Sequence, residues 1–232
     1  MSKRQPGQGR TNRSKEEPDD LFIARVLDLR RWAQSNQQVM TVLGVLAVIA
    51  VAGVIYYGNY RGSLNEQAAQ QLELVHQSIS IEDRQGAQDQ LITFLERYGG
   101  TAYEGEARLL LGELYLKEGQ PEQALAVLEP VGERPRSPIE MQAAMLLARA
   151  YEQDERWAEA ESAYLRVADR SELSFQIQEA LSAAARIRAD QQGDSSGAVA
   201  LYQRALDGLQ DDDPLRGHFQ MRIAELEARQ DT

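Results

Sequence analysis

An uncharged apolar stretch from Val39 to Tyr57, VMTVLGVLAVIAVAGVIYY, constrains this chain more than any other feature. As a helix, its 19 residues would be roughly 28 Å long, close to the ~30 Å hydrocarbon thickness of a bilayer. Signal-peptide cores are shorter, about 7–15 residues, and the small-x-small triplet Ala50-Val51-Ala52 lies inside the stretch rather than after it. We therefore expect residues 39–58 to form an uncleaved transmembrane helix.

Aromatic and basic side chains on the two sides of this stretch predict its orientation. Trp32 before it and Tyr56 and Tyr57 at its end resemble the aromatic belts at the two membrane interfaces. Three arginines precede the stretch closely, whereas Arg61 is the only basic residue within twenty positions after it. The positive-inside rule then predicts a single-pass inner (plasma) membrane protein with a cytoplasmic N-terminus and a periplasmic or otherwise extracytoplasmic C-terminal region.

The residues before the stretch fall into two segments. Residues 1–20 are rich in Pro, Gly, Gln and charge, and we expect a disordered basic tail that serves as a topology determinant or attracts anionic lipid or ribosomal RNA. Residues 21–38 carry an apolar face, with Phe22, Val26 and Leu29 at helical spacing. This juxtamembrane helix either lies in the membrane interface or continues directly into the spanning helix.

Beyond Tyr60 the chain repeats with an offset of 36 residues. Gly112 aligns with Ala148, and Tyr115 aligns with Tyr151. Each unit reads as an apolar helix, a short polar turn and a second helix that begins through a small alanine. Gly119 is placed to end the first helix in a left-handed conformation, and Pro121 to start the second. Small residues in both helices would let the pair cross closely.

This spacing is that of the tetratricopeptide repeat (TPR), in which L-G-x2-Y in one helix is followed by A-x3-F in the next. The matching positions of the first unit are Leu111, Gly112, Tyr115, Ala124 and Leu128. Those of the second unit are Leu147, Ala148, Tyr151, Ala160 and Tyr164. The usual first-helix Trp is absent from both units.

Two weaker units flank the matched pair. Downstream, Ala198 and Tyr202 mark a second helix whose partner spans residues 180–189, and upstream residues 87–94 pair with residues 64–79. Residues 214–229 predict an amphipathic helix that would cap the open end of the stack. We therefore predict an all-α chain, with one transmembrane helix followed over residues 59–232 by a TPR-like α-solenoid of about four helical hairpins and a capping helix.

Charge and motif content limit the chemistry of this region. Residues 39–232 carry a net charge of −14, so a nucleic-acid partner is not expected. The chain has no cysteine and only two histidines, and the Asp211–Asp213 run lacks the spacing of a calcium loop. We expect no enzymatic activity, no metal and no cofactor.

Proteins or peptides are the expected partners besides lipid. A helical solenoid offers a concave groove formed by the first helix of each pair. The polar residues placed there by spacing are either groove contacts or ordinary exposed helix positions: Arg108, Glu113, Gln142, Arg149 and Glu152.

The segments RRWAQSNQQ, IYYGNY and ERYGGTAYEGEARLLLGELYLKEGQPEQAL, taken with the layout around them, resemble YfgM-like proteins. These are bacterial inner-membrane, single-span proteins with periplasmic TPR domains. The resemblance implies an ancillary role beside the Sec translocon and periplasmic chaperones. The longer basic tail of this chain departs from that family.

These observations lead to two hypotheses. In the first, the chain is a membrane-anchored TPR adaptor, chaperone-like, that binds translocon components or secreted proteins at the outer face of the inner membrane. In the second, it is a structural scaffold of an envelope complex for division or outer-membrane assembly.

Overall fold

The computed structural model describes residues 36–230, and these residues form helices joined by turns and short loops. The predicted tail, most of the predicted juxtamembrane helix and Trp32 lie outside the described residues. The helices, in chain order, are α1 (Gln37–Ser80), α2 (Arg84–Tyr98), α3 (Glu104–Lys117), α4 (Pro121–Gly132), α5 (Pro138–Gln153), α6 (Trp157–Arg170), α7 (Ser174–Asp190), α8 (Ser195–Asp207) and α9 (Leu215–Gln230).

The chain divides into two units, and the first ends at Tyr60. Its described residues belong to the N-terminal part of α1, a helix of 44 residues that contains no proline. The apolar side chains from Val39 to Tyr60 in this part are exposed. By length and composition, α1 is the one helix of the described residues that could cross a membrane. One such helix is compatible with a single span.

The second unit begins at Arg61 and contains four helical hairpins followed by a last helix. The hairpins are the C-terminal part of α1 with α2, α3 with α4, α5 with α6, and α7 with α8. Helix α9 packs on α8 through Phe219, whose ring centroid lies 5.9 Å from that of Tyr202. The predicted all-α fold, with four hairpins and a capping helix, is confirmed.

All four hairpin turns share one backbone feature, although the fourth turn is one residue longer than the others. Each contains one residue in the left-handed region two positions before the second helix begins: Glu82 (φ 61°), Gly119 (φ 71°), Glu155 (φ 59°) and Gly193 (φ 69°). After the second and third of these, the amide of Gln120 donates to Tyr115 O and the amide of Arg156 donates to Tyr151 O, both at 2.9 Å. These bonds satisfy carbonyls that the helix end would otherwise leave unpaired.

Small residues bring neighbouring helices close together at two crossings. A Cβ atom on Gly112 of α3 would lie 2.5 Å from Leu128 Cγ of α4. A Cβ on Gly132, at the end of α4, would lie 3.0 Å from the backbone oxygen of Ala143 in α5. The first crossing lies within a hairpin and the second joins successive hairpins. Both depend on the absence of a side chain.

The buried apolar side chains form two clusters. One cluster joins α1, α2 and α3 around Leu72, Leu91, Phe94 and Leu111. The other runs from α4 to α9. Tyr115 and Val127 are partly buried against both clusters, so they link the two along the stack. Each helix therefore buries its apolar face against its sequence neighbours, as expected of a repeat array.

Candidate functional site

The predicted packing positions lie in the interior of the second unit. All of them except the half-buried Tyr115 are buried: Leu111, Gly112, Ala124, Leu128, Leu147, Ala148, Tyr151, Ala160, Tyr164, Ala198 and Tyr202. The two predicted interface tyrosines, Tyr56 and Tyr57, are exposed on α1.

Two of the buried tyrosines donate hydrogen bonds to glutamate carboxylates. Tyr151 Oη donates to Glu129 Oε1 at 3.1 Å, and Tyr164 Oη donates to Glu152 Oε2 at 2.9 Å. Burial, together with the negative charge of Glu152, raises the pKa of Tyr164 well above its ordinary value. The Tyr164 hydroxyl therefore stays protonated, and its hydrogen bond fixes the position of the Glu152 carboxylate.

Glu152 belongs to an open groove between α5 and α7, with α6 as its floor. We call this the inner groove, and its volume is about 600 Å³. Its lining residues are Arg149, Glu152, Gln153, Trp157, Tyr164, Glu179, Ser182, Ala183 and Arg186.

Two ion pairs cross the inner groove in opposite directions. Arg149 of α5 pairs with Glu179 of α7, and Arg186 Nη2 of α7 lies 2.7 Å from Glu152 Oε1 of α5. The two arginines and Glu179 are about half exposed, whereas Glu152 is only 21 % exposed. Exposed pairs contribute little to stability, so these bridges align the first helices of successive hairpins more than they stabilise them.

The structure brings together two of the five polar residues that the sequence placed in a groove. Arg149 and Glu152 line the inner groove. Arg108 pairs with Glu104 of its own helix at 2.8 Å, and Glu113 pairs with Lys117 at 2.8 Å. Gln142 lines a different cavity, near the loop that precedes α5.

Sequence reasoning missed six lining residues of the inner groove: Gln153, Ser182, Ala183, Trp157, Glu179 and Arg186. The last two lie seven residues apart, which places them on one face of α7 two turns apart. They carry the charges opposite to those of Arg149 and Glu152. A search for complementary charges on successive first helices would have found them.

The groove offers hydrogen-bond donors and acceptors above an aromatic floor. Within residues 36–230, no group of three His, Cys, Asp or Glu side chains is arranged to hold a metal ion. The arrangement suits non-covalent binding of a polar chain, because the paired arginines and glutamates can hydrogen-bond main-chain groups without an unpaired charge being buried.

Solved structures with a similar fold are helical repeats. The nearly identical TPR-like repeats of a protein designated a putative kinesin light chain from Podosopora anserina match with a TM-score of 0.54 and 21% identity, covering 71% of this chain and 87% of that one. A single-residue variant of those repeats matches with a TM-score of 0.55 and 22% identity, covering 71% and 86%. At this identity the likeness shows the fold alone.

A search of curated proteins found no significant match. The family model described as a tetratricopeptide repeat-like domain matches residues 30–228, which include all the hairpins and most of α9. A repeat of this kind is typical of non-enzymatic adaptors that bind proteins or peptides. The chain belongs to the tetratricopeptide repeat-like domain family.

Proposed function

We propose that this protein is a membrane-anchored, extracytoplasmic adaptor whose inner groove binds extended segments of secreted proteins or of the translocon that delivers them. The observation that carries the proposal is the groove itself. Each of its two ion pairs is neutral overall, and the half-buried ring of Trp157 adds an aromatic surface. Such a surface binds main chain with little preference for the charge of its ligand, which suits an adaptor that meets many sequences.

In this proposal residues 39–58 span the inner membrane, residues 1–20 and 21–38 lie on the cytoplasmic side, and residues 59–232 lie outside. The exposed apolar side chains of α1 support the anchor, since a water-exposed surface of this kind would be costly. The excess of basic residues before the span supports the orientation. The resemblance to YfgM-like proteins supports the assignment to the Sec translocon and periplasmic chaperones.

Site-specific photocrosslinking in cells tests the role of the groove. A photoreactive amino acid at Ser182, in the inner groove, is compared with one at Ser162, which is exposed on α6 outside it. We expect translocon subunits or exported chains to crosslink at Ser182 and not at Ser162.

Three other outcomes contradict parts of the proposal. A fixed set of division or outer-membrane assembly proteins at Ser182 supports the scaffold hypothesis instead. The same products at both positions mean that the groove is not the binding site. Protease protection tests topology separately: the repeats should be digested when protease is added from outside the inner membrane, and digestion only from the cytoplasmic side contradicts the orientation.

A further inference from the structure

A second concave surface lies between the loop before α5 and the loop before α7. We call it the loop cleft, and its volume is about 330 Å³. Its walls include Pro135 and Met141 on one side and Leu173 on the other. Pro135 is buried, Met141 is half-buried and Leu173 is exposed. The cleft therefore has an apolar interior that is open to a ligand and large enough for one aliphatic side chain.

Two arginines line the same cleft without an ionic partner. The side chains of Arg136 and Arg170 are exposed, and neither guanidinium group forms an ion pair or a hydrogen bond within the described part of the chain. The backbone amide of Arg136 donates to Glu140 Oε2 at 2.6 Å. In the same unit most other arginines on α3 to α9 pair with a carboxylate, as Arg149 and Arg188 do. The two guanidinium groups therefore leave positive charge exposed at the cleft in an acidic domain.

A buried amide adds a third donor. Gln176 lines the cleft and is only 7 % exposed. Its Oε1 accepts a hydrogen bond from Ser171 Oγ at 2.7 Å, whereas its Nε2 donates to no residue that the structure describes. The Gln176 Nε2 atom still reaches solvent, so it can donate a hydrogen bond to a ligand oxygen in place of water.

The backbone beside the cleft also favours an anion. Helix α7 contains 17 residues, begins at Ser174 and has no side-chain cap, so its first amides are left for other acceptors. Glu172 is the acidic residue of the lining, so the lining residues of the cleft carry a net charge of +1. Four kinds of feature thus coincide: an apolar interior, two free guanidinium groups, an unused amide donor and an uncapped helix N-terminus.

We infer that the loop cleft binds an extended acidic segment of a partner protein, with one aliphatic side chain inserted between Met141 and Leu173 and a neighbouring carboxylate held by Arg136, Arg170 and Gln176. A peptide fits better than a lipid surface because the site is concave and receives a side chain. The loop cleft shares no lining residue with the inner groove, so it is a second binding surface beyond the proposed function.

Fluorescence anisotropy with the full chain in mild detergent tests the inference. The probes are four fluorescein-labelled nonapeptides of Gly and Ser with the central residues Asp-Leu-Asp, Asp-Ala-Asp, Lys-Leu-Lys or Asn-Leu-Asn. We expect the Asp-Leu-Asp peptide to bind at least about tenfold more tightly than the other three. Two of those peptides lack the carboxylates and one lacks the leucine, and a hydrogen bond to a charged group or burial of an aliphatic side chain each accounts for roughly that factor.

Two matched double variants locate the site. Arg136→Gln with Arg170→Gln should weaken binding of the Asp-Leu-Asp peptide at least about tenfold, whereas Arg149→Gln with Arg186→Gln, in the inner groove, should leave it unchanged. Circular dichroism verifies that both variants are folded. Equal binding of the Asp-Leu-Asp and Lys-Leu-Lys peptides, or an equal effect of the two double variants, overturns the inference without touching the proposed function of the groove.

A direct reporter separates peptide from lipid and does not depend on those variants. The chain has no cysteine, so Ser174→Cys at the start of α7 allows one environment-sensitive dye to be attached beside the cleft. The Asp-Leu-Asp peptide should shift its emission. A shift with phosphatidylglycerol vesicles and none with the peptide would show a lipid contact and overturn the inference.

Discussion

The crossing of α3 and α4 at Gly112 allows a quantitative test of the repeat packing. A Cβ atom on Gly112 would lie 2.5, 2.6 and 2.8 Å from Leu128 Cγ, Cδ2 and Cδ1. All three branch atoms of Leu128 are affected, and this side chain is fully buried, so it cannot turn into solvent. Relief of the overlap requires either a strained rotamer or a shift of one helix, which costs about 1–3 kcal/mol.

Gly112→Ala also has a favourable contribution, because alanine in a helix interior is about 1 kcal/mol better than glycine. The net expectation is a loss of stability of up to about 2 kcal/mol. Gly105→Ala is the matched control, since Gly105 lies in the same helix and its added Cβ would meet Ile139 Cγ2 at an ordinary 3.7 Å. This control should be neutral or slightly stabilising.

Urea unfolding of the full chain in mild detergent, followed by circular dichroism, measures these differences. Combining Gly112→Ala with Leu128→Ala isolates the contact, because the second substitution removes the atoms with which the new Cβ collides. Leu128→Ala alone should cost about 2–5 kcal/mol, and it should cost at least about 1 kcal/mol less when Gly112 is already alanine. The close crossing of α3 and α4 is contradicted if Gly112→Ala is as stable as Gly105→Ala and if the effects of Gly112→Ala and Leu128→Ala are additive.

Three further predictions concern the turns, the groove and a buried ion pair. Glu155→Gly should stabilise the domain by about 0.5–1 kcal/mol in urea unfolding, because Glu155 adopts a left-handed conformation that favours glycine. An unchanged free energy of unfolding would contradict that turn geometry. The folded-state pKa of Tyr164 is raised, so the stabilisation from its protonated hydroxyl should be complete below the unfolded pKa near 10.0 and lost as the pH rises further. Tyr164→Phe should flatten this alkaline decline in stability, and an unchanged pH profile would refute the raised pKa of Tyr164. Glu161 is 8 % exposed and accepts a hydrogen bond from Arg188 Nε at 2.6 Å, so Glu161→Ala should cost about 2–3 kcal/mol in the same unfolding assay. A loss no larger than that from replacing an exposed glutamate would mean that solvent replaces the contact.

The hairpin turns show how far local sequence reasoning reaches. Turn chemistry predicts that Gly119 ends one helix and that Pro121 starts the next, and both predictions are confirmed. Glu82 and Glu155 adopt the same left-handed conformation, but glutamate carries no local signal for it. The packing of the two helices of each hairpin imposes the turn there, and tertiary contacts offset the strain.

The groove shows a second limit. Spacing along α5 placed Arg149 and Glu152 on a polar face, but spacing along one helix says nothing about which helix lies opposite. The same reasoning placed Arg108 and Glu113 in a groove, and in the structure they pair within α3. Which polar residues share a cavity depends on how successive hairpins rotate relative to each other.

By itself, the sequence determined the helical class, the number of hairpins, the capping helix and the long apolar helix. These follow from local periodicity, residue size and turn chemistry, which act within a few residues of chain. Only the tertiary structure decided which charges meet across α5 and α7 and where α4 and α5 touch at Gly132. It also decided that the guanidinium groups of Arg136 and Arg170 lie beside an apolar cleft with no ionic partner among residues 36–230. The physical reason is that each of these features depends on the angle and separation between helices from different repeats, which the packing of many side chains sets together.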